Sequence, residues 1–206
     1  MALLAFLDHS FMTALTFAET LACWQRRAGR TDLPWQQYHT PYERWLSEVM
    51  LQQTQVETVI PYFERFLAAF PSVEALAAAS EAQVMKLWAG LGYYSRGRNL
   101  HRAAQMVVKE MQGRFPTTAD ELIKLPGIGP STAAAVAAFT SGEAKEPMID
   151  GNVKRVLARL DGIPGRVGEK AFETALAAAA RRKLPGSECI AAYTQGLMDL
   201  GSLVCR

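Results

Sequence analysis

Apolar side chains recur along most of the chain at intervals of three and four residues, the period of a helix with one buried face, rather than at the alternating positions of a half-buried strand. In "MIDGNVKRVLARL", for instance, Val153, Val156, Leu157 and Leu160 fall on a single stripe. Runs of Val, Ile and Thr bounded by turn residues are scarce, so the pattern predicts an all-α fold. Helices are expected over 14–27, 41–55, 61–70, 73–79, 81–90, 95–112, 119–125, 131–141, 152–160, 169–183 and 188–204. Pro61 suits a first helical turn, and Thr118 with Glu121 three residues on reads as a capping box. No long linker, low-complexity tract, repeat or composition break divides the chain.

Half of the 206 residues are apolar, enough for a well-buried core in one domain or two small ones. Lys plus Arg is 22 against 20 for Asp plus Glu, a formal charge of +2, too mild to demand a nucleic-acid partner. Any basic surface must therefore come from local clustering. The opening "MALLAFLDHSFM" lacks a basic stretch before its short apolar run, and Asp8 and His9 interrupt it, so neither a signal peptide nor a membrane span is expected there. No apolar run elsewhere approaches the ~18 residues of a spanning helix. Cys23, Cys189 and Cys205 are widely separated, which fits a reducing cytoplasm, and His9, His39 and His101 show no metal-ligand spacing.

Four stretches carry candidate chemistry. In "LPGIGPSTAAAV", 125–136, a short helix runs into Pro-Gly-Ile-Gly-Pro and a second helix starts at once, a helix-hairpin-helix pattern. Gly127 and Gly129 allow a tight turn and close approach of a ligand, and the unpaired amides opening the second helix suit a phosphate. A plain turn between helices gives the same local pattern. Asp150 sits where an N-cap belongs, and an anion fixed there would also stabilise positive charge developing in a reaction. Glu48 in "WLSEVMLQQTQV" has Arg44, Trp45, Leu51 and Gln52 as helical neighbours: a surface pair with Arg44 is one reading, and partial burial, which raises a carboxylate pKa, is the other. A protonated Glu and an ionised Asp would divide the work of cleaving a glycosidic bond. "GLGYYSRGRNLHRAA" sets Tyr93 and Tyr94 beside Arg96, Arg98 and Arg102, a combination suited to stacking and phosphate contact, although one tyrosine is expected in the core. The pairs Arg181–Arg182 and Lys154–Arg155 read as solvated faces.

In order along the chain, "LPW", "WLSEVMLQQTQV", "GLGYYSRGRNL", "LPGIGPSTAAAV", "IDGNVKRVLARL" and "LMDLGSLVC" resemble the adenine DNA glycosylase family of the helix-hairpin-helix superfamily, over about 17–205. The resemblance implies two helical lobes with a DNA-binding cleft between them: 33–144 carrying the hairpin, and 1–32 joined with 145–206. It implies that Glu48 protonates N7 of an adenine flipped from duplex DNA, that Asp150 stabilises the oxocarbenium-like sugar, and that Asn152 orients water or the Glu. Gln53 and Tyr93 match residues inserted at the lesion pair, with Gln52 at the same DNA-facing end. Trp35 and Gln195 match the lining of the adenine pocket, and Gly127 and Gly129 the phosphate site, where hairpin carbonyls also bind a monovalent cation. The implied partner is double-stranded DNA with adenine opposite 8-oxoguanine or guanine, bound by a monomer during base excision repair.

Ser131 matches the position at which thymine-glycol glycosylase-lyase relatives carry a nucleophilic lysine. Serine cannot form the corresponding imine, so hydrolysis without a strong lyase step is expected. Family members hold a four-iron four-sulfur cluster with four cysteines; Cys205 matches the first, and Cys23 and Cys189 do not match the others, so the cluster is not expected to be completed in this chain. A fragment or a naturally shortened protein is the corresponding expectation. A thymine or oxidised-pyrimidine glycosylase, and a non-catalytic DNA-binding module, are the alternative functions.

Overall fold

Periodicity, caps and turn residues cut the chain into short helices whose apolar stripes are buried together. The computed structural model describes residues 15–38 and 40–205, and every regular element among them is helical. In order these are α1 (Phe17–Ala28), a 3₁₀ turn (Pro34–Gln37), α2 (Pro41–Leu51), α3 (Val56–Ala69), α4 (Val73–Ala78), α5 (Glu81–Trp88), α6 (Tyr94–Glu110), α7 (Ala119–Leu122), α8 (Pro130–Thr140), α9 (Gly151–Asp161), α10 (Lys170–Arg182) and α11 (Ser187–Asp199). A widened π turn (Leu200–Val204) continues α11. No described helix is long and apolar enough to cross a membrane. His9 and His39 lie outside the described residues.

Local chemistry sets several helix starts. Thr16 and Glu19 cap α1 reciprocally, and Ser80 with Gln83 does the same for α5. Thr118 and Glu121 do not form the expected box. The Thr118 hydroxyl donates to Glu121 at 2.9 Å, while the amide of Ala119 donates to Glu143, 24 residues on, at 2.7 Å. A distant acid thus supplies the cap that the local one was expected to give. Pro61 lies inside α3 rather than in its first turn, on the exposed side, and burial of Val59, Phe63 and Phe66 outweighs the missing backbone bond. Helix α2 ends at Leu51, short of the expected 55, because Gln53 turns to a left-handed φ of 56°.

The buried apolar residues form two clusters. One gathers Trp35, Trp45, Trp88, Phe63 and Phe66 with the inner faces of α2 to α6 and the hairpin residues Leu125 and Ile128. The other joins α1 to α9, α10 and α11 through Leu21, Val153, Leu157, Leu176, Ile190 and Tyr193. Helix α8 serves both: Ala133, Val136 and Ala137 face the first cluster, Ala134, Ala135 and Ala138 the second. A helix apolar all round is a buried one, and alanine lets neighbours approach from two sides. Gly196 brings α11 equally close to α1, since a Cβ there would lie 3.0 Å from Leu21 Cγ.

Candidate active site

Residues from both clusters line one cleft of about 490 Å³. The 3₁₀ turn and α2 contribute Trp35, Glu48 and Leu51, α3 contributes Val56 and Glu57, and the far wall carries Asp150, Asn152, Gln195 and Met198, with Arg30 at the junction. Glu48, Asp150, Asn152, Trp35 and Gln195, singled out along the sequence, thus share one cavity although up to 160 positions separate them (35 to 195). Trp35 is almost wholly buried at 2% exposure, and its ring meets Phe63 edge-on at 5.6 Å, which fixes one apolar wall.

Glu48 opens on this cleft while its flanks are dry. Trp45, on the preceding turn of α2, is wholly buried, Leu33, Trp35, Leu51 and Val56 line the cleft with Glu48, and no hydrogen bond reaches its carboxyl among the described residues. One edge remains accessible from the cavity, but protein packs the rest. Burial pushes its carboxyl up to about 7, the charge of Asp150 acts in the same direction, and the Arg44 guanidinium opposes both. The alternative of a surface ion pair with Arg44 is not what forms. Arg44 reaches instead toward the Gln36 carbonyl at 3.5 Å and lies over the Phe139 ring at 5.1 Å.

Asp150 is the N-cap of α9, as expected: one carboxylate oxygen accepts from the Val153 amide at 2.8 Å, the other from the Asn152 side-chain amide at 3.2 Å. Asn152 in turn accepts from Arg155 at 2.8 Å. Arg155 also donates to the carbonyls of Gly201 at 2.6 Å and Cys205 at 2.7 Å, locking the start of α9 to the π turn. It is therefore a clamp rather than the solvated residue expected from its Lys154 neighbour. A Cβ on Gly201 would lie 2.5 Å from Asn152 Cβ, so only glycine lets the turn come this close. A second clamp was equally hidden in the sequence. Asp199, fully buried, accepts from the Arg30 amide at 2.9 Å, from Arg30 Nε at 2.7 Å and from Gln195 at 2.9 Å, orienting two groups that line the cleft. The one available signal was an aspartate inside the apolar run "GLMDLGSLV".

A tight loop at 51–55 borders the cleft and a second, 90–93, is tied to it through Arg96, and each holds an exposed residue in the left-handed region: Gln53 at φ 56° and Tyr93 at φ 47°. Such backbone is unfavourable for these side chains and persists where surrounding structure imposes it. Arg96 imposes it here. Its buried guanidinium donates to the carbonyls of Val49, Met50 and Gln52 on one side and Leu91 and Gly92 on the other. It stacks on Trp88 and Tyr93 as well. Arg96 is consequently unable to serve as the phosphate contact expected of it, and Tyr93 and Tyr94 are both exposed, neither entering the core. Gln52 turns inward, its amide donating to Thr132 on α8 at 3.1 Å.

The hairpin lies between α7 and α8. Gly127 adopts φ 79°, and a Cβ there would meet Asn99 Cβ at 2.7 Å, so conformation and packing both demand glycine. Gly129 faces open space, leaving the first-turn amides of α8 accessible. Ser131, in that first turn, does not line the Glu48 cleft. It opens on a neighbouring groove of about 410 Å³ with Ile123 and Ile149. The three cysteines do not fit a metal cluster: Cys23 is on α1, Cys189 on α11, and Cys205 accepts a hydrogen bond from Arg159 at 3.0 Å. No group of three or more metal-ligating side chains is gathered among the described residues.

A helical fold with a glycine hairpin and two carboxyl groups across a cleft defines a class, and residues 46–182 match the family model of the HhH-GPD superfamily base excision DNA repair proteins. The chain belongs to that superfamily. Within it, the chain is similar to the adenine DNA glycosylase of Buchnera aphidicola subsp. Schizaphis graminum, 41% identical over 194 residues that cover 94% of this chain and 55% of that protein. It is also 40% identical to the adenine DNA glycosylase of Homo sapiens, across 97% of this chain and 37% of the human one. The chain thus spans about half the length of its bacterial relative and less of the human one. Among solved structures, a thermostable thymine-DNA glycosylase superposes with a TM-score of 0.78 at 25% identity, covering 92% of this chain and 86% of that one. A non-covalent endonuclease III–DNA complex gives 0.74 at 22% identity over 92% and 84%, a likeness of fold.

Proposed function

We propose that this chain is a monofunctional adenine DNA glycosylase acting on double-stranded DNA with adenine opposite 8-oxoguanine or guanine. The observation that carries the reading is that Glu48 and Asp150 line one cleft, the first with its carboxyl pushed up to about 7 by burial. Glu48 donates its proton to N7 of a flipped adenine. The C1′–N9 bond breaks with its electron pair leaving on the base, and Asp150 stabilises the cationic sugar. Water then adds at C1′ and its proton returns to Glu48. Asn152, pinned by Arg155, holds Asp150 in place, and Trp35 with the Asp199-bound Gln195 and Arg30 gives the base an apolar face and polar edges.

No lysine lines the cleft among the described residues, which supports hydrolysis over imine formation. On this reading Gln53 and Tyr93 meet the mispair, and Gly127 and Gly129 bind backbone phosphate as a monomer engages the duplex. The test is base release from duplexes containing A opposite 8-oxoguanine, G opposite T, or thymine glycol. Adenine release alone is expected, lowered about 10³-fold in Glu48→Gln with DNA binding retained. Excision confined to the other two duplexes, or binding with no release from any, would overturn the reading.

A further inference from the structure

One charged side chain near the acid has no part in the chemistry above. Arg44 lies four residues before Glu48, one turn back on α2. It is half-buried beside α8, its Nε has no hydrogen-bond partner, and its reach toward Gln36 is long. Phe139 takes the flat face of the guanidinium, and the depression they share also includes Gln195. A cation kept this way, close to a carboxyl but not bonded to it, acts on that carboxyl through its field rather than through a contact. An ion pair would fix the carboxyl ionised and remove its proton from use.

We propose that Arg44 is a positioning residue for the reaction's acid: its charge, parked on Phe139 one helical turn before Glu48, opposes the hold of the site on the acid's proton and so lowers the pH above which base release fails. The proposal rests on Glu48 being the acid. The other charges facing Glu48 are Asp150 before α9, Glu57 on α3 and Arg30 in the connection after α1. Helix α8, packed along α2, carries no ionisable side chain, and Arg96 on α6 is occupied with backbone carbonyls. Asp150 and burial strengthen the hold on the proton, and Arg44 offsets them. Without the Arg44 charge, Glu48 stays protonated to higher pH, and the alkaline limb of the rate profile moves up.

Titration of ¹³C-labelled glutamate by NMR, with Glu48 assigned by its loss in Glu48→Gln, reads this without substrate. In Arg44→Met the midpoint is expected to rise by roughly 1 pH unit, and in Arg44→Lys to stay within a few tenths of wild type. The pH profile of single-turnover adenine release should shift in parallel. An unchanged midpoint in folded Arg44→Met, or an equal shift in Arg44→Lys, would overturn the proposal. Should Arg44→Met not fold, Arg44→Gln carries the same comparison. A shifted midpoint in a protein that releases no adenine would sink the glycosylase reading and leave the coupling of the two residues standing.

Discussion

Glu48 and Asp150 face the same cleft, yet the two regions that carry them hold them by opposite means. Around Glu48 the structure is aromatic and aliphatic: Trp45 packs one turn away, Leu33, Trp35, Leu51 and Val56 line the cleft, and the carboxyl receives no hydrogen bond. Around Asp150 it is a lattice of directed bonds, from Val153 and Asn152 to the carboxylate, from Arg155 to Asn152 and the π turn, and from Arg30 and Gln195 to Asp199. The difference suits the roles proposed for the two groups. A carboxyl that must carry a proton near neutrality needs a dry setting that penalises its charge; one that must stay an anion needs donors that stabilise it. Each cluster supplies the environment that the other could not.

Three substitutions probe that contrast. The largest effect is expected at the hydrogen-bonded side: Asp199→Ala strands the Arg30 cation and amide and frees Gln195, so unfolding in urea should show a loss of about 3 kcal/mol. A loss below about 1 kcal/mol would mean that packing, not the buried charge, holds this region. At the packed side the sign reverses. The folded carboxyl of Glu48 titrates near 7 against an ordinary value of 4.5, so the unfolded chain releases this proton first as pH rises. The associated penalty is absent below about 4.5 and full above about 7. Glu48→Gln should thus be more stable than wild type by ~1–3 kcal/mol at pH 8, with the gap closing by pH 4. Thermal melts at the two pH values decide it, and equal gaps would show that Glu48 is not desolvated. The smallest stability change belongs to Asp150→Asn, which keeps an N-cap acceptor and should alter stability by about 0.5 kcal/mol or less. Its informative readout is Glu48, whose titration midpoint should move down once the Asp150 charge is gone.

Much of this was legible along the chain. The stripe of Val153, Val156 and Leu157, the N-cap at Asp150 and the glycine hairpin are local matters, set by spacing and backbone freedom, and they appear where expected, whereas Leu160, expected on the same stripe, is exposed at the end of α9. The apolar flanks of Glu48 likewise announced a partly buried carboxyl. What could not be read is the set of long-range partners. Arg96 and Arg155 look like surface cations beside other basic residues, and nothing nearby tells that distant carbonyls will surround them. Thr118 and Glu121 carried the right residues for a cap, yet Glu143 took the amide.

By itself, then, the sequence determined the helices, the hairpin and the chemical kinds of group available for catalysis, because periodicity, caps and glycine turns act within a few residues. Tertiary structure alone decided which of those groups meet. Whether a carboxyl is raised or an arginine is buried depends on the dielectric and the partners around it, and these exist only once α2, α8, α9 and α11 have packed about a common cleft.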